Sequence, residues 1–228
     1  DEDPGQLEAI ALLEEIYQTL ERHEDLVDLL QRKADYASGL DARVDALKQK
    51  GRVQWQHLGA AQDAIETFRE VLVLHPGDVE ALRMLDRLYT AEEDDMSLLE
   101  VLQELSAVVG QEERKEVRLR IGQLLEQRLE QHDQAIDVYQ EVLRDYPEDM
   151  EAVAALERMI RADLAAPHAF AVLAPELERR GDWERLYLIY DVITEREEDP
   201  FIRVENWMVM GGIAEQRLER PLTAFECY

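Results

Sequence analysis

Residues 64–76, AIETFREVLVLHP, return at 135–147 as AIDVYQEVLRDYP, and a third copy opens at Ala224 as AFECY. A chain that repeats itself in this way is constrained to a stack of like units, each buried against its neighbours. The match reaches upstream of the alanine. Gly51, Leu58 and Phe68 align with Gly122, Leu129 and Tyr139, and again with Gly211, Leu218 and Tyr228. A second series alternates with the first: PGQLEAIALLEEIY (4–17), PGDVEALRMLDRLY (76–89) and PEDMEAVAALERMI (147–160).

Each piece has the period of a helix. Ile65, Phe68, Val71 and Leu72 fall on one face, with Glu66, Arg69 and Glu70 opposite. Asp78 and Asp149 stand where an acidic side chain can accept the free amides of a helix start. Pro76 and Pro147 stop the helix before them. Gly (10) and Pro (7) are scarce, and no run of Val, Ile and Thr alternates with polar residues, so strands are not expected. Each full unit, from Ala64 to its counterpart Ala135, then holds four helices, or two antiparallel hairpins. Gly51, Gly122 and Gly211 are expected to let one helix backbone approach its partner, under the aromatic residue four after the alanine.

One insertion breaks the rhythm. Leu26, Leu98 and Leu186 are equivalent positions, but the second interval is longer than the first by about one helix. The excess predicts an added helix over about 167–180, opened by Pro167 and closed by Gly181-Asp182. Pro175 inside it predicts a kink or a short break. The total is about thirteen helices.

These residues resemble the tetratricopeptide repeat, whose pattern runs W-x2-L-G-x2-Y, then A-x3-F, then P. Trp207, Met210 and Gly211 match its opening; Ala64-x3-Phe68, Ala135-x3-Tyr139 and Ala224-x3-Tyr228 match its middle; Pro76 and Pro147 match its end. The likeness covers almost the whole chain, with two departures. The stretch from Gly to Ala is one position longer than usual in all three copies (51–64, 122–135 and 211–224), which predicts a slightly extended hairpin turn. The alternate hairpins carry Glu14, Asp86 and Glu157 in place of the small residue and read as degenerate repeats.

The resemblance implies an all-α, right-handed solenoid, read as one array. Its hairpins fall at about 5–37, 41–76, 77–109, 112–147, 149–196 (with the inserted helix) and 200–228. Leu7, Ile10 and Phe225 would expose core at the array's ends, so the chain is expected to be an excerpt of a longer array whose ends can stack on one another. The resemblance also implies that first helices line a groove that binds a partner protein or peptide. Carried over position by position, the groove residues are Lys48, Arg52 and Trp55, then Arg83 and Arg87, then Arg158 and Arg161. The cations would clamp an acidic motif. Alternatively they are solvated or pair with neighbouring Glu and Asp at i, i+4, and Trp55 fills the hairpin interface.

Other function classes find little support. A net charge of −27, from 52 acidic and 25 basic residues, repels nucleic acid and anionic lipid, and no apolar run is long enough to span a bilayer. Cys227 is the single cysteine, so no internal disulfide is expected. His23, His57, His75, His132 and His168 lack metal-ligand spacing, and no phosphate-cradling glycine loop or G-x-S-x-G turn occurs. The chain reads as a non-catalytic interaction scaffold with no cofactor, placed by expectation in the cytoplasm. Two rivals are a docking or regulatory arm of a larger enzyme, and an acidic surface that recruits a basic partner.

Overall fold

The structure, a computed structural model, describes residues 4–228. Among them are thirteen helices and no strand. The chain divides into two compact units, Asp1–Arg114 and Lys115–Tyr228.

The first unit holds α1 (Pro4–Thr19), α2 (His23–Tyr36), α3 (Leu40–Gln56), α4 (Ala61–Leu74), α5 (Val79–Ala91) and α6 (Asp95–Val108), and ends in the first turn of α7 (Gln111–Gln127). Each helix from α1 to α5 packs on the next. Its core is the run of apolar stripes read from the sequence: Leu26, Leu30, Leu47, Phe68, Leu82, Leu85, Leu88 and Leu102 are buried. Burial of this kind, at about 25 cal/mol per Å² of apolar surface, is the main force holding hairpin to hairpin.

The second unit holds the rest of α7, then α8 (His132–Asp145), α9 (Met150–Ala162), α10 (Ala166–Arg180), α11 (Trp183–Arg196), α12 (Pro200–Gln216) and α13 (Pro221–Cys227). Leu125, Ile136, Tyr139, Leu156, Leu173 and Leu177 form its core. The added helix α10 packs on α8, α9 and α11, while α11 also reaches back to α9. It ends as expected: Gly181 is left-handed, and the Asp182 amide donates to the Leu177 carbonyl at 2.9 Å. The expected break at Pro175 is absent, because α10 runs through it. The ring deprives the helix of one backbone hydrogen bond, and the packing of α10 on α8, α9 and α11 keeps it helical across that gap.

The helix starts are capped by aspartate more often than the sequence alone indicates. Asp78 accepts from the Ala81 amide at 2.8 Å and Asp149 from the Ala152 amide at 2.9 Å. Asp94, Asp182 and Asp199 do the same for α6, α11 and α12. The helix-to-helix turn of the main repeat is built three times alike. Leu58, Leu129 and Leu218 amides donate to Val53, Leu124 and Ile213 carbonyls, with Gly59, Glu130 and Glu219 in the left-handed region.

The predicted glycine contact is present in all three copies. A Cβ on Gly51 would lie 2.7 Å from Phe68 Cε2, and one on Gly211 would lie 2.7 Å from Tyr228 Cε1. On Gly122 it would collide with Tyr139 Cε1. Phe68 and Tyr139 are wholly buried there, whereas Tyr228 stays exposed.

Candidate functional site

The seven predicted groove residues divide between the units: Lys48, Arg52, Trp55, Arg83 and Arg87 lie in the first, Arg158 and Arg161 in the second. In the first unit Lys48 and Arg52 converge on α5. Lys48 Nζ lies 2.6 Å from Asp78 Oδ2 and 3.5 Å from Glu80 Oε2, and Arg52 pairs with Glu80 from the same side. Only 12% of the Lys48 side chain is exposed. In the next copy this position is Leu119, which is buried. Lys48 is therefore a fastening residue that locks α3 to the capped start of α5. Burial works against its charge, but Asp78 and Glu80 outweigh burial and hold the ammonium above its ordinary pKa. Asp78 is likewise held below the usual carboxylate range: burial opposes this, and the hydrogen bonds from Lys48 and the Ala81 amide prevail.

Arg83 Nη2 donates to both carboxylate oxygens of Glu113, each at 2.8 Å. Arg87, one turn further along α5, is exposed and has no ion-pair partner among the described residues. Trp55 is half-buried on α3.

In the second unit Arg158 of α9 donates to Glu126 of α7 at 2.9 and 2.7 Å, and the Tyr139 hydroxyl donates to the same carboxylate at 3.0 Å. The Glu126 side chain is only 3% exposed. Burial first, then the charge of Glu126, pushes the Tyr139 hydroxyl far above its ordinary value, so it stays a donor. Tyr228 repeats the contact by donating to Glu215 at 3.2 Å. Copy one instead has Phe68 in the tyrosine's place and Trp55 in the glutamate's. Arg161 pairs with Glu157 at 3.3 Å, an i, i+4 contact.

Of the paired candidates, then, only Arg161 follows the i, i+4 alternative. Lys48, Arg52, Arg83 and Arg158 pair instead with carboxylates far along the chain, on the neighbouring hairpin. Sequence reasoning missed Asp78, Glu80 and Glu113 as their partners. A signal was available: Lys48 and Asp78 stand at the same separation along the chain as Arg83 and Glu113.

The second unit also holds an open pocket of about 430 Å³ between α10, α11 and α12, lined by Phe170, Trp183, Tyr190 and Glu178 among others. His23 and His57 stack with ring centroids 4.3 Å apart, and His168 faces Asp133 at 2.9 Å. Among the described residues no group of three or more His, Cys, Asp or Glu is placed to hold a metal ion, and no helix is long and apolar enough to cross a membrane.

Several solved structures are similar to this chain. A tetratricopeptide repeat protein from Parabacteroides merdae is 16% identical, covering 96% of this chain and 90% of its own at a TM-score of 0.47. The tetratricopeptide-like repeats of a Podosopora anserina kinesin light chain are 16% identical over 87% of this chain and 100% of theirs, with a TM-score of 0.44. MamA is 16% identical over 75% and 96%, also at 0.44. No curated protein matches the chain. Residues 116–149 match the family model of the tetratricopeptide repeat. Repeats of this kind generally mediate protein–protein interaction. Residues 116–149 therefore match one tetratricopeptide repeat, set within an all-helical chain of packed hairpins.

Proposed function

We propose that this chain is a non-catalytic protein-interaction segment, holding a partner peptide or protein against the first helices of its hairpins. The observation that carries this reading is Arg87, an exposed guanidinium without a partner among the described residues, one turn from Arg83 on α5. A carboxylate from a partner can take Arg87 directly, then compete with Glu113 for Arg83, giving the planar, bidentate recognition that arginine favours. Lys48 and Arg158 serve the stacking of hairpins instead, since each is tied to a buried carboxylate.

The test is affinity capture with the chain and with an Arg83→Glu/Arg87→Glu variant, followed by titration of each captured partner's acidic peptides. Loss of such a peptide's binding in the variant, at unchanged helicity, supports the reading. Equal capture of the same partners by both proteins overturns it.

A second reading is favoured by the charge balance. Most candidate cations are neutralised within the chain, while a surplus of carboxylates remains, so a basic partner would be drawn to the acidic exterior. Binding that falls steeply with added salt and ignores Arg83 and Arg87 supports this second reading.

A further inference from the structure

The helix that interrupts the repeat, α10, has no counterpart in the earlier copies, and it builds the pocket against α11 and α12. Three aromatic rings line that pocket. Phe170 and Tyr190 meet edge to face with centroids 4.9 Å apart, and Trp183 stands at the start of α11. Glu178 is the one carboxylate in the lining. Its neighbour Glu176 holds both Arg179, at 2.6 Å, and Arg180, at 2.8 Å, but the Glu178 side chain has no hydrogen-bond or ion-pair partner among the described residues. Its charge reaches the pocket wall: burial first, then Glu178, raises the Tyr190 hydroxyl above its ordinary value.

Aromatic rings and an unpaired carboxylate are groups that receive an ammonium or a guanidinium. An apolar occupant would instead cover the Glu178 charge without compensating it. Trp183 already receives one guanidinium of the chain, with Arg217 lying 4.6 Å over its ring.

We propose that the pocket between α10, α11 and α12 is a binding site for a cationic side chain, lysine or arginine, presented by a basic partner. The net charge of −27 attracts such a partner, and the pocket gives it a fixed point of attachment. This site is independent of Arg83 and Arg87, and it would remain if their groove role failed.

The experiment is a titration of the full chain with N-acetyl-arginine amide, N-acetyl-lysine amide and the uncharged N-acetyl-citrulline amide at constant ionic strength, read by amide chemical shifts. The two cations are expected to give saturable shifts confined to α10–α12, and citrulline none. Glu178→Gln should weaken the cations about five-fold, and Phe170→Leu, which keeps an apolar wall but removes the ring, about three-fold. Trp207→Leu, outside the pocket, should change nothing. Non-saturating shifts scattered over the acidic surface would overturn the pocket while leaving recruitment by charge intact. Equal response to citrulline, or a folded Glu178→Gln protein of unchanged affinity, would also overturn it.

Discussion

Gly122 of α7 lies against the Tyr139 ring of α8 so closely that a single added carbon would occupy the space of Cε1. The contact is the joint of the repeat, made again by Gly51 with Phe68 and by Gly211 with Tyr228. Because Tyr139 is fully buried and held by Glu126, it cannot swing aside.

Gly122→Ala should therefore destabilise the chain by about 1–3 kcal/mol, as overpacked cores do. Gly212→Ala is the matched control: it also lies within a helix, but an added Cβ meets nothing within 4 Å. That substitution should stabilise by about 0.5–1 kcal/mol through helix propensity alone. Chemical denaturation of the two proteins checks both signs.

Glu130 and Glu219 occupy the left-handed turn position, each at φ 54, that Gly59 fills in the first copy. A side chain there costs roughly 1 kcal/mol. Glu130→Gly should raise the stability by somewhat less than that, since glycine also gains freedom in the unfolded chain. A melting temperature that falls instead would mean the Glu130 side chain has a contact worth more than the strain.

Asp78 both caps α5 and holds Lys48. Asp78→Ala should cost about 1–2 kcal/mol, and Asp78→Asn, which still caps, roughly half as much. The pH dependence has a definite sign. The Asp78 pKa is lowered by folding, so its contribution is complete above its unfolded value of about 4 and fades as pH falls through the folded value. The Lys48 pKa is raised, so its contribution is complete below about 10.4 and fades as pH rises through the folded value. Stability curves against pH should lose part of their acid limb in Asp78→Asn.

Arg158→Met leaves the buried Glu126 carboxylate with Tyr139 as its one remaining partner from the cluster, and should destabilise by about 3 kcal/mol. Adding Glu126→Gln should recover part of that loss, because the uncompensated charge is gone. A double-mutant cycle by urea denaturation reads the coupling directly. Additive losses would mean that the pair does not act as a unit.

Much of this architecture is legible without any coordinates. The return of Ala64 at Ala135, the helical stripe of Ile65, Phe68, Val71 and Leu72, the caps at Asp78 and Asp149, and the added helix ending at Gly181 all rest on local rules that a sequence displays. So does the glycine-and-aromatic joint, since both partners recur together in every copy. The site is less legible. From the sequence Lys48, Arg52 and Arg83 read as free cations or as partners of their own helices, because spacing along one helix is the only neighbour relation a sequence states outright. Tertiary structure decided otherwise: stacking hairpins brings residues distant along the chain side by side, so Asp78, Glu80 and Glu113 neutralise those cations and Arg87 is left exposed. It also decided that α10 continues through Pro175 and closes a pocket with Trp183 and Tyr190. Helices are specified by contacts within a few residues, whereas which charge meets which is settled only when one helix is laid upon another.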